Sequence, residues 1–525
     1  MMRAGLPKSN QVVFLGDFLR SPHTHFAFRV LYRLLSNPIA SVTGIMPKFF
    51  YSLTSDFNSH IRKIEELDIS TTQSWIQLQE ETVELPQWIQ SLLPSEGDLV
   101  IGFEIAPSMC IWLSKHGIPY MNFFVHPVRF LPDLLFAVST NNNAISKVLH
   151  RWSFQLDCAY DYANVLRALC IGDIADQAFI QSGTAMFVGQ TSNDASVIQA
   201  GKTVKVRDYC ARIQELTAQC SDILICPHPL GMADQMIYLL RNLGRGTIVN
   251  FNSYSLLSNE NIKLVLTLSS SLGVEAKYFN KDVHFLLGEP LRPGGAMVAS
   301  DANVHSLGHS ILSVDFWKQI FGLNRLIPKG NCATSEFKAP NLFRSLFGAW
   351  AYDQLDPILR RKVSVQSTVV PPRPWKQINY NNLRKQVTTI DFRSSGNSFL
   401  YTCDGFHAAE DWGTWVDGCC AELIIPSEAI CQPAFIQFKL QAYVNSLLPQ
   451  QHIKVTVNKQ AVTEFFISLS DNQPFLINLA LPEQCDNFYL LQFEIPNAKS
   501  PQELGLSDET RKLGLGFIEA AFIDM

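Results

Sequence analysis

The amino-acid sequence predicts an α/β protein, with two Rossmann-like blocks followed by a C-terminal all-β sandwich. Three observations carry this prediction. Short apolar runs separated by helix-length segments recur through the first part of the chain, as the strands of a parallel α/β sheet do. The character changes after Pro328, and a Pro-rich cluster, PPRPW (Pro371–Trp375), marks a linker. Beyond it, about eight strand-like runs separated by turn residues fill the remaining ~150 residues, the pattern of a sandwich.

The elements follow in order. QVVFLGDF (Gln11–Phe18) reads as a buried strand ending in a turn, and amphipathic stretches follow at His60–Leu67 and Thr72–Leu93. GDLVIGFE (Gly97–Glu104) is a second buried strand. A helix then begins at PSMCIW, a turn falls at His116-Gly117, and a strand covers Tyr120–Val125. The pattern recurs with strands in AMFVGQT (Ala185–Thr191), SDILICPHP (Ser221–Pro229), GTIVNFN (Gly246–Asn252) and KLVLTLSSS (Lys263–Ser271), and with helix-length segments at Val204–Gln219 and Met232–Leu243. The join between the two blocks falls near residue 215. Residues 340–362 hold a helical segment. In the tail, IKVTVN alternates apolar and polar residues as a half-buried antiparallel strand does.

Composition narrows the class. Of 525 residues, 47% are hydrophobic and only 17% charged, against about 25% in an ordinary soluble chain. A disordered chain has the opposite balance. The net charge of −5 leaves no global basic footprint for nucleic acid. Residues 376–525 hold 10 Lys and Arg against 17 Asp and Glu, leaving 32 against 30 before them. A near-neutral region therefore precedes an acidic tail. No apolar run reaches the length of a membrane-spanning helix, and the first residues lack the pattern of a signal peptide. Twelve scattered cysteines without a CxxC fit reduced thiols.

Several motifs are missing: a P-loop, a GxGxxG opening a helix, HExxH, GxSxG and any Asp-x-Asp triplet. Five segments remain as candidates, each with a plainer alternative. In CPHPLGM, His228 and Pro229 follow a buried strand, where α/β sheets bind ligands. His228 suits a phosphate oxygen there, or simply caps a loop. In LTLSSSLGVEA, Ser269, Ser270 and Ser271 end a strand, and a helix starts near Gly273 with Glu275 in its first turn. Hydroxyls and free N–H groups at a helix start bind anions, although an ordinary Ser cap gives the same sequence. In GQTSNDASVIQAGK, Asp194 either caps a helix or faces a cleft, and Gln190 and Lys202 flank it. Glu104 ends an apolar strand, where a carboxylate is unusual unless it is paired or functional. Finally, His126, Arg129 and Asp133 punctuate FVHPVRFLPDLLFAVSTN. Arg129 suits a ligand carboxylate, or the stretch is a salt-bridged surface loop.

Taken together, GFE, FVHPVRFLPDLLF, GQTSNDAS, CPHP and SSSLGVEA resemble the bacterial β-Kdo glycosyltransferases of capsule and lipopolysaccharide O-antigen assembly. The resemblance covers residues 95–290 by motif and 1–335 by layout. It implies a GT-B fold with domains at 1–215 (acceptor side) and 216–335 (nucleotide-sugar side), then return helices and linker at 336–375 and an accessory sandwich at 376–525. It implies a CMP-Kdo donor used without a metal or other cofactor, and a glycan acceptor that is lipid-linked at the cytoplasmic face of the inner membrane. The enzyme would then be cytoplasmic, with peripheral membrane association. Asp194 would be the nucleophile of a retaining transfer and Glu104 the base. His228, Pro229, Ser269–Ser271, Gly273 and Glu275 would bind CMP. His126, Arg129, Asp133, Gln190 and Lys202 would contact sugar or acceptor. Two other readings stay open: a transferase of another CMP-nonulosonate such as sialic acid, and a non-catalytic polysaccharide-binding or assembly protein. GFHAAEDWGTWVDG and SPQELGLSDETRKLGLGF resemble a sandwich domain fused to surface-polysaccharide transferases. Its Trp412 and Trp415 either stack on sugars or lie in the core.

Overall fold

A computed structural model describes residues 11–16, 22–49, 71–90, 93–94, 98–174, 177–191, 194–228, 234–322, 339–347, 355, 377–380, 387–427, 435–471, 474–482, 488–509 and 511–523. The PPRPW cluster, the His60–Leu67 stretch and Pro229 lie outside these, as does most of the expected 340–362 helix. The chain is mixed α/β with a C-terminal antiparallel region, and it divides into two compact units. The first holds residues 1–183, 190–205 and 252–367, and the second holds 184–189, 206–251 and 368–525.

In the first unit, six strands lie in the order Asn303–Leu307, Phe136–Thr140, Tyr120–Val125, Leu99–Phe103, Val12–Leu15 and Lys48–Phe49. The last four are parallel. The expected strands at 12–15, 99–103 and 120–125 are present and almost wholly buried, as both-face coverage by helices requires. One expectation changes. Phe136–Thr140 is a strand antiparallel to its neighbour, within a stretch read from sequence only as punctuated and apolar. Its connection is too short for a crossover helix, and the His126 N–H closes it on the Leu135 carbonyl at 2.9 Å. The helix Pro22–Thr43 turns Leu31, Leu35 and Ile39 inward along one face despite its internal Pro38. A second strand–helix–strand unit, Ile262–Thr267, Ser271–Tyr278 and Asp282–Phe285, has parallel strands.

In the second unit, Thr184–Val188, Ile223–Cys226 and Thr247–Val249 are parallel, and Gln377–Asn379 closes the edge antiparallel. The eight tail strands expected from sequence are all present. With Thr389–Asp391, which was not expected, they form two antiparallel sheets: Thr389–Asp391, Leu515–Ile523, Phe435–Ala442 and Phe475–Ala480 in one, and Thr402–Asp404, Cys420–Pro426, Phe488–Glu494, Gln450–Val457 and Gln460–Ser468 in the other. Burial alternates residue by residue along Gln450–Val457. The core is built on Phe438, Phe493 and Phe517, with ring centroids 5.0–5.8 Å apart.

Two arginines join these sheets to the α/β part of the same unit. Arg207 pairs with the buried Glu422 at 2.6 Å. Arg241, on the helix Asp234–Leu243, donates to the Ile424 and Leu400 carbonyls and lies over the Tyr401 ring. Burial lowers its basicity to about 10. Replacing it strands the buried Ile424 carbonyl and the half-buried Leu400 carbonyl. Arg241→Ala should cost about 2–4 kcal/mol in urea unfolding, with no change expected in far-UV circular dichroism below the transition.

Candidate functional site

Glu104 stands where the Leu99–Phe103 strand ends. Its backbone is left-handed, with φ +53°, a conformation that costs a non-glycine residue about 1–2 kcal/mol. The neighbouring strand enforces it. The Glu104 N–H donates to the Phe123 carbonyl at 2.9 Å. The buried Asn122 side chain brackets the next residue, accepting from the Ile105 N–H and donating to its carbonyl, each at 2.9 Å. Gly102 makes room for the turn, since a Cβ there would lie 2.1 Å from Ile105 Cδ1. Such overdetermined strain marks candidate sites. Glu104 is half-buried and lines a small cleft with Trp75, Gln79, Phe124, Ala195 and Met297.

Ala195 brings in the second segment. Asp194 caps a short 3-10 turn, Ala195–Val197, accepting from the Ser196 N–H at 2.9 Å. The capping role is thus present, and it fixes one carboxylate oxygen. Gln190 ties this segment to the serine loop. Its Oε1 accepts from the Ser269 N–H at 2.7 Å, and its Nε2 donates to Ser196 Oγ at 3.1 Å. Ser269 is buried and donates to the Ser196 carbonyl at 2.8 Å. Ser270 caps the helix Ser271–Tyr278, accepting from the Leu272 N–H. Gly273 is required for packing, because a Cβ would press on the Phe285 ring at 2.6 Å.

Arg129 reaches the same helix. Its Nη2 donates to Ser271 Oγ at 3.0 Å, and its backbone N–H donates to Glu275 Oε1 at 2.7 Å. Its Nε is buried with no hydrogen-bond partner. Glu275 is itself buried and also accepts from the Tyr254 hydroxyl at 3.1 Å. Burial raises its pKa to about 7 against the pull of the Arg129 N–H, the Arg129 charge, Tyr254 and Arg344. The fully buried Arg344 donates to the Arg129 and Leu131 carbonyls at 2.8 and 2.7 Å.

The remaining candidates have other surroundings. Asp133 is fully buried and accepts from His309 at 2.7 Å and from the Phe343, Arg344 and Leu134 N–H groups. Burial opposes its ionisation, but these donors hold its pKa below the usual range. Arg129 and Asp133 therefore serve different partners rather than pairing in a surface loop. His126 Nδ1 accepts from the Val128 N–H, so a neutral ring presents Nε2–H to Ser306 Oγ at 3.0 Å. Burial pushes its pKa down to about 4. Lys202 is exposed on a two-residue strand paired with Gln199. His228 follows the strand Ile223–Cys226 in the second unit, and Gly189 lies beside its backbone nitrogen. Sequence reading missed Asn122, Tyr254 and Arg344. A lone Asn in YMNFFV and a lone Arg in NLFRSLF were the available signals.

The Glu275 pKa sets a sign for stability. A carboxyl raised from 4.5 to about 7 stays protonated in the fold after the unfolded chain releases its proton. Its contribution is complete below pH 4.5 and is lost as pH rises toward 7. Glu275→Gln keeps an acceptor for Arg129 without that titration. The stability of the unaltered protein relative to this variant should fall by roughly 3 kcal/mol between about pH 4.5 and pH 7.5 in urea unfolding.

No known protein-family profile matches the chain. No curated protein matches it in sequence. Among solved structures, it is similar to a beta Kdo 2,4 transferase, KpsC of Thermosulfurimonas dismutans, at 17% identity over 36% of this chain and 68% of that one, with a TM-score of 0.23. It is also similar to a beta Kdo 2,7 transferase, KpsC of the same organism, at 13% identity over 52% of this chain and 78% of that one, with a TM-score of 0.28.

Proposed function

We propose that this chain is a glycosyltransferase that moves Kdo from CMP-Kdo to a glycan acceptor in bacterial surface-polysaccharide synthesis, with retention of configuration. One observation carries the reading. The segments at Glu104, Arg129, Gln190–Ser196 and Ser269–Glu275 are far apart in sequence, yet they assemble within one unit. Glu104 and the neighbour of Asp194 line one cleft.

The proposed chemistry uses these residues as follows. An Asp194 carboxylate oxygen attacks the anomeric carbon of Kdo, and the bond to the CMP phosphate breaks, its electron pair leaving with CMP. The Ser270 and Ser271 hydroxyls stabilise the phosphate charge without a metal, while Ser269 braces the loop on Gln190 and Ser196. The Ser196 N–H holds the other Asp194 oxygen in place. The acceptor hydroxyl then attacks the same carbon, its proton passes to Glu104, and the bond to Asp194 breaks. Two displacements at one carbon restore the original configuration. Arg129, anchored through Nη2 on Ser271 Oγ, is the residue we assign to the Kdo carboxylate. Among the described residues no helix is long and apolar enough to cross a membrane. As part of the proposal, the acceptor is lipid-linked and is met by peripheral association at the cytoplasmic face.

With CMP-Kdo and a capsule-type acceptor, Asp194→Ala should lower kcat by at least about a thousandfold, and Glu104→Gln by about a hundredfold. NMR should show the transferred Kdo with its donor configuration. Wild-type turnover by Asp194→Ala, or an inverted product, contradicts the proposal.

A further inference from the structure

The sandwich carries an aromatic site that the transferase reading does not use. Trp412 and Trp415 are half-buried, and neither belongs to the apolar core of the sandwich. Their ring centroids lie 4.9 Å apart at 63°, so the indoles form a corner. Tyr443 extends it, 6.4 Å from Trp415.

This corner is built. Both indoles rest on Gly516, where a Cβ would approach Trp412 Cη2 to 2.6 Å and Trp415 Cε3 to 3.0 Å. Trp412 Nε1 donates to Glu410 at 2.7 Å, which fixes the ring edge. Arg511 holds the other Glu410 oxygen at 2.8 Å and Glu509 at 2.9 Å. His407 donates its backbone N–H to the Trp415 carbonyl, and its ring stands 3.5 Å from Asp417. Fixed indole faces edged by planar polar groups suit pyranose rings, whose C–H faces stack while their hydroxyls bond at the rim.

Charge selects among sugars. Among the described residues bonded around this corner, the carboxylates are Glu410, Asp411, Asp417 and Glu509 and the guanidinium is Arg511, while the neighbouring Lys512 is held by Glu503 at 3.5 Å. Hydrogen bonds from Arg511 keep Glu410 and Glu509 ionised. Burial pushes the His407 pKa down, against the pull of Asp417.

We propose that Trp412 and Trp415 form a saccharide-binding site on the sandwich that takes neutral glycans and rejects polymers rich in carboxylates. This rests on the sandwich residues alone and stands or falls apart from the transferase reading.

The test titrates the full chain with chitohexaose, cellohexaose and hexagalacturonate, following tryptophan fluorescence. A saturable response to a neutral hexasaccharide is expected, with hexagalacturonate at least about tenfold weaker. Trp412→Ala should weaken the neutral glycan at least about tenfold while the melting temperature of the α/β part is kept. On the unaltered protein, the glycan should also protect Trp412 and Trp415 from N-bromosuccinimide, read by peptide mass mapping, so the site is tested even if the variant fails to fold. The proposal is overturned by tighter binding of hexagalacturonate, by no saturation with either neutral glycan at about 10 mM, by unchanged affinity in a folded Trp412→Ala, or by oxidation of both tryptophans regardless of glycan.

Discussion

The first unit depends on how it buries charge behind its sheet. Glu275, Arg344 and Asp133 are almost wholly out of solvent, where an unpaired ion costs several kcal/mol. Each is answered. Glu275 takes the Arg129 N–H and the Tyr254 hydroxyl, Arg344 takes the Arg129 and Leu131 carbonyls, and Asp133 takes His309 and the start of the helix Leu342–Phe347. This chain of partners fixes the 126–135 connection between two antiparallel strands. It thereby places Arg129 against Ser271, and the Ser269–Ser271 loop is tied in turn to Gln190. Removing one member leaves its partners buried and unsatisfied, so the site and the fold of this connection are one structure.

A second constraint shapes the cleft. The left-handed turn at Glu104 is held because Asn122 satisfies both backbone groups of Ile105, and Gly102 leaves Ile105 room to fold back. The strain puts a carboxylate at the end of an apolar strand rather than in the next turn of ordinary chain. Local strain held by buried hydrogen bonds is how a rigid scaffold aims one side chain.

Much of this was legible in the sequence, for physical reasons. Buried parallel strands are continuous apolar runs, so Val12–Leu15, Leu99–Phe103 and Tyr120–Val125 stand out. The tail strands stand out because turn residues separate them. Phe136–Thr140 did not, because Pro127, Pro132 and Asp133 precede it and disguise a ten-residue return as loop. Asn303–Leu307 is a half-buried edge strand with His305 and Ser306, which blurs its apolar pattern. The serine loop and Asp194 were found as motifs. Their ties to Gln190, Arg129 and Glu275 are long-range contacts across 79 to 146 residues, which no local pattern reports. Asp133 reads from its context as a ligand contact, and its burial and its ties to His309 and the Arg344 N–H, 176 and 211 residues away, leave no local signal.

The central claim is that Asp194 carries the sugar between two displacements. Trapping tests it most directly: Glu104→Gln protein is mixed with CMP-Kdo alone and its intact mass is followed over time. The account predicts a gain of one Kdo residue, mapped by peptide fragmentation to Asp194 and absent from the Asp194→Ala, Glu104→Gln double variant. An adduct on another residue, or CMP release by the Glu104→Gln protein with no adduct at any time, would contradict it.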